Sequence, residues 1–331
     1  MKCIVNKTSY LYTVLVALLC SMVLFTGCSN SVSLNEVELF EIEHYNRTLG
    51  SSNLFASQLA VSSTDVPMGE FALSSDNMAA ALIDTAAPEF LYAFRLHERI
   101  SPATATKIMT VYVALQYGNL DDMITMPESA LDLPDGVVMT GLHIGDQISL
   151  GELLTAMILT SGNDAAIAIA EHISGSEAAF VQLMNEEARA LAASNTHFAN
   201  AHGLHNDDQF TTVYDLYLIF NACIMDHRFL NIIDRTEFSA DVRSAEGEVR
   251  VMEWFPANGY NRGWRNPPEG IVVVGGKTGS GEQAGSGLIL LVRDASERPY
   301  IAIMMGAPSV DARYENMNRM WSEGILHEAT Q

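Results

Sequence analysis

Thr104 and Lys107 stand three residues apart in the run Ile100-Ser101-Pro102-Ala103-Thr104-Ala105-Thr106-Lys107, a hydroxyl and an amine that share one face if the segment is helical. Burial lowers the pKa of such an amine, and a neutral lysine beside a hydroxyl is a base beside a nucleophile. Lysine is scarce in this chain. Of 18 basic residues four are lysines, two of them lie at the N-terminus, and only Lys107 and Lys277 are left for the rest. Lys277 sits in Gly275-Gly276-Lys277-Thr278-Gly279-Ser280, where glycines let a substrate backbone approach an edge strand and the cation and hydroxyl suit a carboxylate. A third polar cluster, Thr160-Ser161-Gly162-Asn163-Asp164, separates two apolar helical patterns. There Ser161 can relay a proton, and the Asn163 amide can hold a carbonyl or orient Lys107. A phosphate loop is excluded, because Gly-x-x-x-x-Gly-Lys-Thr needs glycine where Ile271 stands.

The elements that must position these residues follow from periodicity. Met78 to Asp84 and Glu89 to Phe94 are short apolar runs joined by Thr85-Ala86-Ala87-Pro88, a hairpin signature. Ser101 as N-cap and Pro102 as first helical residue predict a helix that places Thr104 in its first turn, where unpaired N–H groups favour developing negative charge. Helical patterns continue to about Asp226, including Leu150 to Leu159, Asp164 to Ile173 and Glu177 to Ala193. Strand patterns return at Ile271 to Gly275, Gly287 to Val292 and Tyr300 to Met305, and Asp311 to Leu326 supplies a closing helix. The order predicts an α/β (α+β) body, an antiparallel sheet built from both chain ends and flanked by helices, with an inserted all-helical lobe and a cleft between them.

The 331 residues carry a net charge of −22, which argues against nucleic-acid binding. Residues 1–27 read as a signal peptide: Lys2 and Lys7 form a basic head, an apolar run follows, and Leu24-Phe25-Thr26-Gly27-Cys28 resembles a bacterial lipobox. Cys28 is then the lipidation site, and the body lies outside the cytoplasm on a membrane anchor. Residues 28–75 read as a serine-rich tether and residues 76–331 as the functional domain. Cys223, the one cysteine beyond Cys28, falls in a helical run and reads as a buried small hydrophobe. His197, His202 and His205 lack a Cys or carboxylate that would complete a zinc set, so they read as structural; no metal or cofactor is expected.

Taken in order, Thr104-x-x-Lys107, Ser161-Gly-Asn163 and Lys277-Thr-Gly279 resemble the three motifs of the penicillin-binding and serine β-lactamase superfamily, and within it the low-molecular-mass D-alanyl-D-alanine carboxypeptidases. Thr196-His197-Phe198 through Gly203-Leu204 adds to the likeness, which covers roughly Met78 to Leu326. The resemblance implies a serine-type hydrolase with a β-lactamase/transpeptidase-like fold. It attacks the D-Ala-D-Ala amide of peptidoglycan stem peptides in the cell wall and is acylated by β-lactams such as penicillin. Thr104 takes the place of the acylated nucleophile and Lys107 that of the general base. Ser161 and Asn163 shuttle a proton and bind substrate. Lys277, Thr278 and Gly279 line the carboxylate site, and the main-chain N–H groups of Thr104 and Ser280 form an oxyanion hole.

Two residues depart from the pattern. The family has serine where this chain has Thr104, whose β-methyl restricts χ1 beside the attack path. Gly281 stands where these carboxypeptidases often place threonine. The first departure sets up a rival expectation, a degenerate lipoprotein that binds stem peptides or penicillins as a sensor without turnover. A β-lactamase is disfavoured, because no Glu-x-x-Leu-Asn-like segment lies between the second and third motifs.

Overall fold

Six successive buried residues make up β1 (Ala79–Asp84), and their side chains divide by alternation. Ala79, Ala81 and Ile83 join one hydrophobic core, whereas Ala80 and Leu82 join a second on the opposite face. β2 (Glu89–Phe94) returns along β1 through the expected turn. The same alternation governs β8 (Ser286–Arg293) and β9 (Pro299–Ala307), so Ile289 and Ile303 face one core while Leu290 and Met304 face the other. With β7 (Val272–Thr278) these strands form one antiparallel sheet in the order β2-β1-β9-β8-β7. Both faces are apolar, and each therefore needs a helical cover. The computed structural model that shows this describes residues 59–281 and 283–326. The signal, Cys28 and the first part of the tether lie outside the described residues.

One face is covered by the helix after β9, which spans Val310–Trp321 and contributes Met317, Met320 and Trp321 to the second core. The other carries the inserted lobe: α1 (Thr106–Tyr117), α2 (Leu150–Thr160), α3 (Asn163–Ser174), α4 (Glu177–Ala190), α5 (Val213–Ile224) and α6 (His227–Ile233). The last helix, after β9, is then α7. The expected fold class holds, but the lobe is not all-helical. Short strands β3 (Met123–Thr125) and β4 (Gln147–Ser149) join β5 (Phe238–Arg243) and β6 (Val249–Trp254) in a second sheet of four antiparallel strands.

The tether expected to reach Ser75 is docked from Leu59 onward. The Ala60 N–H donates to the Tyr217 hydroxyl at 2.8 Å, Val66 bridges Ala93, and the ring of Phe71 meets Tyr92 edge-on at 4.9 Å. Apolar residues scattered among the serines find the sheet and hold the segment against it.

Gly275 and Gly276 make the close packing of β7 possible. A Cβ on Gly275 would stand 1.8 Å from the Ile233 carbonyl oxygen at the end of α6, and one on Gly276 would stand 2.0 Å from the Ile289 carbonyl oxygen. Both obstacles are backbone, which cannot step aside as a side chain does. Gly275→Ala is accordingly expected to cost about 1–3 kcal/mol, seen as a drop of several degrees in Tm by circular dichroism. An unchanged Tm would mean that β7 lifts off α6 without penalty.

Candidate active site

Thr104 is delivered by a sharper turn than a capped helix start provides. Ser101 makes no capping bond. Instead Ala103 to Ala105 form one 3₁₀ turn behind Pro102, and α1 begins at Thr106. Ala103 adopts φ 46°, a left-handed conformation that costs a non-glycine residue about 1–2 kcal/mol. Gly203 leaves the room for it, since a Cβ there would fall 2.0 Å from the Ala103 carbonyl oxygen. The strained corner projects the Thr104 side chain toward β7. Its hydroxyl donates to the Thr278 carbonyl at 3.0 Å and accepts from the Ser280 N–H at 3.2 Å.

Lys107 lies in the first turn of α1 and is fully buried. Its Nζ donates to Asn163 Oδ1 at 2.8 Å and also to the His202 carbonyl. Asn163 is oriented for this by its own amide, since Nδ2 and the backbone N–H both donate to the Val138 carbonyl, at 2.9 Å each. Burial lowers the Lys107 pKa to about 7, with the neighbouring Asp164 carboxylate opposing part of the drop. An amine so placed is half neutral at physiological pH and can take a proton.

Ser161 closes α2, which opens on a capping box between Ser149 and Glu152 and ends with Ser161 itself left-handed at φ 70°. That conformation turns its hydroxyl toward Lys277, whose Nζ donates to Ser161 Oγ at 2.9 Å. The same ammonium donates to the Thr278 carbonyl at 2.9 Å and to the Thr278 hydroxyl at 3.1 Å. Burial, and after it the charges of Lys107 and Arg313, pushes the Lys277 pKa well below the usual lysine range. Gly279 passes between Ala105 and Met305, where a Cβ would find contacts at 3.0–3.1 Å. All eight residues expected from the sequence thus meet where α1, the α2–α3 turn and β7 converge.

Sequence reasoning missed Arg313. It sits on α7, 3% exposed, and its Nη1 donates to Ser280 Oγ at 3.2 Å and to the Gly287 carbonyl at 3.0 Å. Among the described residues its Nε has no partner. A guanidinium held beside Ser280 can offer a charge-assisted bond to an anion. Arg313 lines a cavity of about 610 Å³ together with Thr104, Ser161, Thr278 and Ser280. Nothing in the local sequence marks it, for it is one arginine on an amphipathic helix.

The family profile described as D-alanyl-D-alanine carboxypeptidase, peptidase S11, matches residues 62–309. The chain belongs to this family. The carboxypeptidase DacA of Haemophilus influenzae is 30% identical over 290 residues, which cover 85% of this chain and 70% of that one. DacC of Escherichia coli is 30% identical over 262 residues, 76% of this chain and 62% of its own. The crystal structure of the Streptomyces K15 DD-transpeptidase matches with TM-score 0.71 and 25% identity, over 79% of this chain and 100% of that one. Penicillin-binding protein 5 of H. influenzae matches with TM-score 0.68 and 29% identity, over 78% and 73%. The chain spans about two thirds of the length of the two carboxypeptidases.

Within this carboxypeptidase frame the remaining residues find places. Gly281 pairs with Gly285, and a Cβ on it would lie 3.2 Å from the Ala103 Cβ, so a threonine there would press on the strained corner beside Thr104. His202 presents its carbonyl to Lys107, while its ring accepts from the Leu204 N–H at 3.1 Å; burial lowers its pKa to about 4 and keeps it neutral. The His197 ring bonds the Asp208 carbonyl at 2.8 Å, and His205 lies beside Asp207 at the surface. Cys223 is buried against α1, with burial raising its thiol pKa.

Proposed function

We propose that the chain is an extracytoplasmic D-alanyl-D-alanine carboxypeptidase that works through an acyl-enzyme on Thr104. Neutral Lys107 takes the hydroxyl proton as Thr104 Oγ1 attacks the carbonyl of the penultimate D-Ala. The N–H groups of Thr104 and Ser280 receive the oxyanion. The amide C–N bond breaks, a proton reaches the departing amine by way of Ser161, and D-Ala leaves. Water then hydrolyses the ester, Lys107 again acting as base. Lys277, Thr278 and Arg313 hold the terminal carboxylate, and β-lactams enter as covalent ligands at the same threonine. Lipid attachment at Cys28 would keep the enzyme on the outer face of the cell membrane.

The observation that carries this reading is the state of Lys107: fully buried, its pKa brought to about 7, and among the described residues bound only by acceptor oxygens of Asn163 and His202. A cation retained for structure alone would be paired with a carboxylate. The test is release of D-alanine from an N-acylated peptide ending in D-Ala-D-Ala. Wild type that binds the peptide and releases nothing would sink it in favour of the sensor reading, which one observation favours: the Thr104 hydroxyl bonds Thr278 and Ser280, and among the described residues no hydrogen bond joins it to Lys107.

Arg313 supplies a separate check. Arg313→Ala is expected to lower kcat/KM for the free-carboxylate peptide by about 10–100-fold, the worth of one charge-assisted bond at ~1.5–3 kcal/mol. The C-terminally amidated peptide should lose far less. Equal losses on both peptides would assign Arg313 to folding instead.

A further inference from the structure

Residues 201–203 lie behind both Thr104 and Lys107. The His202 carbonyl accepts from Lys107 Nζ, and the Ala201 carbonyl accepts from Thr110 Oγ1 at 2.6 Å on the next turn of α1. Gly203 approaches so closely that a Cβ on it would fall 3.0 Å from Thr104 Cα. On the loop side all three contacts are made by backbone, and a carbonyl stands only as still as the peptides around it. What holds this loop therefore bears on where base and nucleophile stand, and small displacements of such groups are costly to rate.

The helix α4 grips the loop at two points. Asn185 clasps Phe198, accepting from its N–H at 2.9 Å and donating to its carbonyl at 2.8 Å. Nearer the start of the helix, Glu177 Oε1 accepts from the Ala201 N–H at 2.9 Å and stands 3.5 Å from His202 Nε2. The His202 ring accepts from the Leu204 N–H through Nδ1, so the proton of the neutral ring is on Nε2, facing that carboxylate. A glutamate in the first turn of a helix can be there for the dipole alone, but this one is turned onto the loop. Among the described residues that line the Thr104 cavity it has no place, so it reaches the reaction through residues 201–203. We propose that Glu177 is a positioning residue for acylation: by anchoring the Ala201 N–H and the His202 ring it keeps the His202 carbonyl on Lys107 and Gly203 behind Thr104. The inference rests on the reading of Lys107 as the base and adds to it a residue outside the three motifs.

Two variants separate reach from charge. Glu177→Asp keeps the carboxylate and shortens its reach, whereas Glu177→Gln keeps the reach and an acceptor oxygen and removes the charge. The kcat for D-alanine release is expected to fall about 10–100-fold in Glu177→Asp, with KM unchanged because Lys277, Thr278 and Arg313 are untouched, and to stay near wild type in Glu177→Gln. A glutamine variant as slow as the aspartate variant would assign the effect to charge, and wild-type kcat in both would show that the loop needs no anchor; either result overturns the proposal, as does a loss confined to KM. Isotope labels at lysine Cε, read by NMR, report without turnover. The chain has four lysines, and the Lys107 signal is the one absent from Lys107→Met. An acceptor bonded to an ammonium raises its pKa, so with the His202 carbonyl displaced the Lys107 midpoint is expected to fall by about one pH unit in Glu177→Asp and to hold in Glu177→Gln. The other charges facing Lys107, on Asp164 and Lys277, and the Glu171 carboxylate facing Glu177 are the same in every variant. If wild type releases no D-alanine, the carboxypeptidase reading fails and this titration decides the positioning alone: a midpoint that falls in Glu177→Asp and holds in Glu177→Gln upholds it, and any other pattern refutes it.

Discussion

Thr104→Ser is expected to raise the rate of acylation by penicillin about 10²-fold, and Thr104→Ala to abolish the covalent adduct. In the structure the threonine hydroxyl donates to the Thr278 carbonyl and accepts from the Ser280 N–H. It therefore occupies the donor that an oxyanion would need, and among the described residues no hydrogen bond joins it to Lys107. Rotation about χ1 that would release the Ser280 N–H is restricted by the β-methyl group, inside a corner already strained at Ala103. Serine has no such methyl and turns freely. Intact-mass spectrometry of the body after timed incubation with penicillin reads both variants. A serine variant no faster than wild type would show that the methyl does not govern the rate. An adduct persisting in Thr104→Ala would move the nucleophile elsewhere.

Lys107→Met is expected to lower kcat/KM by 10²–10⁴-fold, roughly the contribution of one general base. The sign of the pH dependence follows from its pKa of about 7. Below that value Lys107 is an ammonium without a lone pair, and above it the free amine can accept the threonine proton. Wild-type activity should accordingly rise with pH through about 7 and level off above. Lys107→Arg separates charge from basicity, because arginine keeps the cation and never deprotonates. It should be as inactive as the methionine variant. An arginine variant with wild-type activity, or a profile flat between pH 6 and 8, would assign the proton transfer to another group.

Much of this site can be read in the sequence, because its residues come in three short segments whose chemistry depends on local spacing. Thr104 and Lys107 share a turn, Ser161 and Asn163 flank a helix break, and Lys277 follows two glycines. The buried strands are legible for a similar reason: β1, β8 and β9 are apolar on both faces and cannot be mistaken for surface. β5 and β6 escape because their alternation misleads. Val249 and Val251 point outward and are 55% and 65% exposed, while Arg250 turns inward to pair with Asp146. Arg313 escapes for the opposite reason. It gains its place only when α7 packs beside the strand after β7, a tertiary event with no local trace. The corner at Thr104 departs from the capped helix start that Ser101-Pro102 predicts, and the room for it is left by Gly203, far along the chain.

The order of strands also dictates when the enzyme can come into being. β1 is bordered by β2, its neighbour in sequence, and by β9, with Ala79 opposite Met305. Its inner edge is unpaired until β9 has been synthesised. Pairings of such wide separation form slowly, because the loop between them must be closed before any contact repays it. A nascent chain that has produced α1 and the α2–α3 turn already carries Thr104 and Lys107, but it holds neither Lys277 nor the N–H of Ser280. Competence arrives with β7 to β9, and until then the chain offers its helical lobe and an open sheet edge to whatever chaperones or proteases it meets.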